Sequence, residues 1–270
     1  MFHLQKISNY GTSTPAVART FPQGAEILDF FQANDTQKEG CKAVLFELSR
    51  HLVRCVEISD GIGSEISTAM NQVDEKGFLL QSQGSSINIP GIGDLQSRAE
   101  AFLQSAKLAI RATAQLVEPF YGVEQDHKFH KFAAWAESKF GRDDPLSIAV
   151  KQWEPLVKHI VTMRNAVDHP SKKPGGRLVV KNFQVQQTVI GPKLTDPMWG
   201  LTDNPMFLIH DEMEVAIERI IELGEEILVC LFYKFRPNFP FVVIEIPKEQ
   251  RDPNNPKRLR VGLAFEAKDA

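Results

Sequence analysis

Cysteine is scarce in this chain. Cys41, Cys55 and Cys230 are its only three, widely spaced and odd in number. That set forms no C-x-x-C pair and excludes a disulfide framework or a structural zinc site; each thiol reads as a small hydrophobe on an apolar helix face. Long apolar runs are missing too: the densest, Ile227 to Tyr233, falls far short of the roughly 20 residues that cross a bilayer. The chain carries little excess charge, 31 basic against 34 acidic side chains for a net −3. An overall basic coat for nucleic acid is thereby excluded, and any such contact has to come from a local patch. MFHLQKISNYGTSTP at the start lacks the charged-then-apolar pattern of a secretory signal, so the expected compartment is the cytoplasm. No G-x-G-x-x-G, no GK[ST] loop and no G-x-S-x-G elbow occurs, and Gly61-Ile62-Gly63 and Gly91-Ile92-Gly93 read as turns.

What is present is ordinary globular material, 43% hydrophobic and 24% charged over 270 residues, enough for a core without staples. Four long segments repeat apolar residues at three and four: about 36–58, 94–118, 145–167 and 211–235, with a shorter one at 127–140. Asp94 and Asp143-Asp144-Pro145 mark helix starts, Pro237 a helix stop, and Pro155 a kink or restart inside the third segment. Residues 177–190, Met206 to Ile209, 240–247 and 259–265 read as strands, expected to form one small antiparallel sheet. Residues 74–93 read as a long loop. The expected organisation has three parts. An N-terminal segment (1–35) packs on a helical bundle (36–235) with a β insertion at about 177–209, and a C-terminal β-hairpin (236–270) follows.

Two places could carry chemistry. His127 and His130 stand at i and i+3 of a helix start, where they could share a metal, but no second pair of ligands accompanies them; no metal and no cofactor is expected. The end of the third long helix is more informative. At 100° per residue, Arg164 falls about 20° from the centre of the stripe Leu146, Trp153, Val157 and Ile160. An arginine aimed along a buried face keeps its charge and needs an anion or a wet cleft there. Were the helix to continue, His169 would lie about 140° from Arg164; Pro170 pushes His169 out of helical geometry, which lets it swing back. A fixed cation beside a titratable imidazole can move protons at a phosphodiester. Arginine in a last turn is also simply favoured by the helix dipole. Lys172, Lys173, Arg177 and Lys181 follow, a basic run that reads either as an RNA-backbone contact or as a solvated loop.

Arg164-Asn165-x-x-x-His169 resembles the R-x4-6-H signature of the HEPN superfamily, including the polar residue that often follows its arginine. The resemblance spans about 36–235 and is interrupted by the strands at 177–209, which depart from the minimal family pattern. It implies a mainly α fold, an HEPN-like bundle of four to five helices decorated by a small antiparallel sheet. It further implies a metal-independent endoribonuclease, a toxin or phage-defence effector, acting as a homodimer on RNA without a membrane and paired in some cases with a nucleotidyltransferase-type antitoxin. In that reading Arg164 stabilises phosphorane charge, His169 moves the proton and Asn165 orients one of them. The rival expectation is a non-catalytic HEPN-like module that binds a nucleotide or a protein and dimerises.

Overall fold

Helical periodicity dominates the sequence and helices dominate the computed structural model, which describes residues 9–76, 79–80, 87–168, 176–189, 191–202 and 204–264. The helices are α1 (Pro15–Ala18), α2 (Phe21–Leu28), α3 (Asp35–Lys76), α4 (Leu95–Gln115), α5 (Glu118–Tyr121), α6 (Phe129–Phe140), α7 (Pro145–Asp168) and α8 (Ile209–Phe235). The strands are β1 (Leu79–Leu80), β2 (Ile87–Asn88), β3 (Leu178–Lys181), β4 (Gln184–Thr188), β5 (Gly191–Thr195), β6 (Met198–Leu201), β7 (Phe207–Leu208), β8 (Phe241–Glu245) and β9 (Leu259–Leu263). The protein is mainly helical with small antiparallel sheets. No helix among the described residues is long and apolar enough to cross a membrane.

The helix ends follow local chemistry. Asn34 and Gln37 cap α3 reciprocally, each side chain accepting the other's backbone N–H. Asp144 caps α7 by accepting the Leu146 N–H at 3.0 Å, with Pro145 in the first helical position. Within α7, Pro155 removes one backbone donor, yet the helix continues through it. The expected restart there does not occur.

Helix α3 corrects a second expectation. Gly61 and Gly63 lie inside it, not in a turn. Both are sites of close approach: a Cβ at Gly61 would stand 2.8 Å from the Arg98 guanidinium, and one at Gly63 would overlap the His210 imidazole. Each glycine costs a helix about 1 kcal/mol relative to alanine. Here the missing side chains leave room for the Arg98 guanidinium and the His210 imidazole. At 74–93, where a loop was expected, α3 runs on to Lys76 and β1 pairs with β2; residues 77–78 and 81–86 lie outside the described residues.

The strands form separate sheets rather than one: β3-β6-β7, β4-β5, β8-β9 and the short β1-β2 pair, all antiparallel. A side chain interrupts what reads in sequence as one strand. Asn182 accepts the Ile92 N–H at 3.1 Å and donates to the Ile92 carbonyl at 2.8 Å, so β3 ends before β4 begins. Gln23 ties the other hairpin to α2, its Oε1 accepting the N–H groups of Arg258 and Leu259.

The chain divides into two compact units: Met1–Val53 with Ala106–Lys158 and Ile217–Ala270, and Arg54–Ser105 with His159–Ala216. In the first, Leu45, Leu48, Ile110, Leu146, Val150, Ile227 and Leu231 are buried. A charged cluster also lies in this unit. Arg19 and Glu225, 6% and 5% exposed, form a two-pronged ion pair, with Nε to Oε1 at 2.9 Å and Nη2 to Oε2 at 2.7 Å. In the second unit, Ile62, Phe102, Leu103, Met163, Trp199 and Met213 are buried.

All three thiols are buried and unpaired. Desolvation pushes the Cys41 and Cys230 thiols up to about 12, and Glu226 and Asp144 add to the effect at Cys230. Burial raises the Cys55 thiol as well. Native protein at pH 8 is therefore expected to resist Ellman's reagent at all three positions, with three equivalents reacting together on unfolding. A thiol titrating at its free-cysteine rate before unfolding would contradict this burial.

Candidate functional site

The second half of α7 carries the candidate chemistry, and three neighbouring elements hold it. Arg164 is half-buried, and its Nε donates to Oε1 of Gln104 on α4 at 2.5 Å. An amide accepts that proton without neutralising the guanidinium, so this contact sets the rotation of the group and leaves its charge in place. Asn165 is half-buried beside it. The candidate proton carrier His169 and the basic residues Lys172 and Lys173 lie outside the described residues.

Arg177 and Lys181 are exposed. The Arg177 backbone is closed onto Thr202, whose hydroxyl and N–H both meet the Arg177 carbonyl. Lys181 ends β3 opposite Met198, and Met198 pairs with Leu208 across β7. Val180, Trp199 and Phe207 form the adjacent row. Neighbouring rows of a sheet face opposite sides, so Lys181 points away from the face that buries Trp199.

That buried face builds a second constellation, which sequence reasoning missed. Trp199, 1% exposed, packs edge-on against Phe102 with centroids 5.8 Å apart. Its indole N–H donates to Oε2 of Glu212 in the first turn of α8. The other carboxylate oxygen, Oε1, lies 2.6 Å from Nε2 of His159 on α7. An ionised carboxylate only accepts, so Nε2 carries the proton and Nδ1 is left for other partners. The His159 side chain is 46% exposed and Glu212 20% exposed, so the pair opens to solvent on the histidine side. Phe207, 47% exposed on β7, stands perpendicular to the imidazole with centroids 6.5 Å apart. One signal was available in sequence: a tryptophan inside a short strand needs an acceptor for its N–H when buried. Nothing local named Glu212 as that acceptor or His159 as the third member.

A cavity of about 320 Å3 in the same unit is lined by Asp60, Asp196, Asp211, Glu214 and His210 among others. Four carboxylates against one imidazole disfavour a polyanion, so this cavity is no path for a phosphate backbone.

The other histidine pair does not form a cluster. His127 Nδ1 lies 2.5 Å from Asp126 Oδ1, while His130 is exposed. The His127 and Arg111 neighbours hold the Asp126 carboxyl below its usual range against partial desolvation. Among the described residues no group of three or more His, Cys, Asp or Glu side chains is placed to hold a metal. No protein-family model matches this chain, and neither a curated protein nor a solved structure matches it.

Proposed function

We propose that this protein is an HEPN-like, metal-independent endoribonuclease that works as a homodimer, a toxin or phage-defence effector in type. The observation that supports the reading is the setting of Arg164. It stands in the last turns of a long helix, half-buried, followed by Asn165, with its Nε donating to the Gln104 amide on α4. Such a guanidinium suits a phosphorane, where negative charge develops on the equatorial oxygens. The resemblance assigns proton transfer to His169 and orientation to Asn165. Exposed Arg177 and Lys181 suit a polyanionic substrate. A nucleotidyltransferase-type antitoxin is the partner class this reading implies.

Catalysis then runs by attack of the RNA's own 2′-oxygen. The histidine takes the 2′-hydroxyl proton, the 2′-oxygen bonds to phosphorus as the P–O5′ bond breaks, and the leaving 5′-oxygen takes the proton back from the imidazolium, producing a 2′,3′-cyclic phosphate end. The testing experiment is incubation of purified full-length protein with single-stranded RNA in EDTA. Cleavage with cyclic phosphate ends is the expected result, because arginine and histidine supply the electrostatic and proton-transfer parts. Cleavage only on adding a divalent metal would reject this site, and binding without cleavage would favour the non-catalytic module.

A further inference from the structure

The geometry points to a nucleobase subsite at His159 and Phe207, a specificity contact for the RNA strand; it rests on the ribonuclease reading above. Three features of the surroundings decide the ligand class. The first is rigidity. Glu212 has both oxygens engaged, one by His159 at 2.6 Å and one by the indole of Trp199, which is locked in the core against Phe102. The imidazole is therefore held by a carboxylate that is itself anchored from behind, and it presents one fixed ring nitrogen, Nδ1, to a ligand. Among the described residues no hydrogen bond engages that nitrogen.

The second feature is the aromatic face. Phe207 lies on the edge strand β7 in register with Trp199, and 47% of its surface remains exposed. Its ring is perpendicular to the imidazole at 87°. An exposed phenyl ring beside an imidazole whose Nδ1 is unengaged pairs a stacking surface with a hydrogen-bonding group, the combination by which single-stranded bases are held and told apart. An apolar side chain would use the phenyl ring and make no use of Nδ1.

The third feature is charge. The Glu212 carboxylate stands directly behind the imidazole, so a phosphate at this position would meet a fixed negative group, whereas a neutral base would not. The positive side chain of Lys181 lies on the opposite sheet face. A base contact here adds specificity and no charge, the role bases take where phosphates position a strand.

The test is fluorescence anisotropy of the full-length protein with short fluorescein-labelled single-stranded rA, rC and rU oligonucleotides, repeated across a salt series. Phe207→Leu, which keeps the apolar contact and removes the ring, is expected to weaken binding about tenfold, within the range that stacking one base contributes. The slope of log affinity against log salt should not change, because no phosphate contact is lost. His159→Gln is expected to change the ranking of the three oligonucleotides, since it alters the group that meets the base edge. Binding by Phe207→Leu within twofold of wild type, or a weakened variant with a shallower salt slope, overturns the subsite. Wild-type protein that binds RNA with these responses but cuts none leaves the subsite standing and rejects the ribonuclease reading. Wild-type protein that binds no RNA rejects both.

Discussion

Arg19→Ala is expected to destabilise the protein by about 3–5 kcal/mol, the cost of breaking a buried ion pair from one side. The pair is almost wholly removed from water, with side-chain exposures of 6% and 4%. Glu225 accepts two bonds from Arg19 and one each from Gln23 and Arg258, so its charge is stabilised by a set of donors that arginine dominates. Removing the guanidinium leaves a buried carboxylate with one neutral amide and a single longer bond from Arg258, at 3.3 Å. Differential scanning fluorimetry should show a melting temperature lower by on the order of 10 °C, given roughly 2–4 °C per kcal/mol for a chain near this size. The double replacement Arg19→Met with Glu225→Leu should recover much of that loss, because an apolar pair avoids the desolvation of both charges. Arg258 keeps Glu245 and Glu222 as partners in that variant. A single variant as stable as wild type would show that the pair contributes nothing, and a double variant worse than the single would show that packing, not charge, is the cause.

Loss of RNA cleavage by Arg164→Ala, by about 10²–10³-fold, is the second large effect expected, the size found when one preorganised charge or donor is removed from a developing oxyanion. The fold should survive. Arg164 is only half-buried, and Gln104, the neutral amide it engages, can turn to water once the guanidinium is gone. Arg164→Lys should restore only a small part of the rate, since an ammonium cannot reproduce the planar fork. Rates and melting temperatures measured side by side separate the two roles. An unchanged rate with a large fall in melting temperature would make Arg164 a structural residue and remove the basis of the proposed function.

The helices were legible because their signal is local. Along α4, α7 and α8 apolar residues recur at three and four, and Asp144-Pro145 and Pro237 mark ends that depend on neighbours in sequence alone. The β8-β9 hairpin was legible for the same reason, two β-rich runs around one polar loop. Helix α3 was read too short because glycine is scored by its own cost. The side chains for which Gly61 and Gly63 leave room, Arg98 and His210, stand tens of residues or more away. Strands β5 and β6 were missed: Pro192 and Pro197 punctuate that stretch, and its pairing partners β4 and β3 had been joined into a single run.

The candidate site divides along the same line. Composition, charge and periodicity established a mainly helical chain with small antiparallel strands and an arginine on the inner flank of its third long helix. Sequence did not determine which groups hold that arginine, and of the second constellation it signalled only that Trp199 needs an acceptor, not which residues gather round it. Gln104 lies 60 residues from Arg164, Glu212 lies 53 from His159, and Glu225 lies 206 from Arg19. Propensity and periodicity act over a few residues, whereas a hydrogen bond requires its two atoms within about 3 Å whatever their separation along the chain. Only the packed helices and the register of β6 against β7 bring Trp199, Glu212, His159 and Phe207 into one row of contacts.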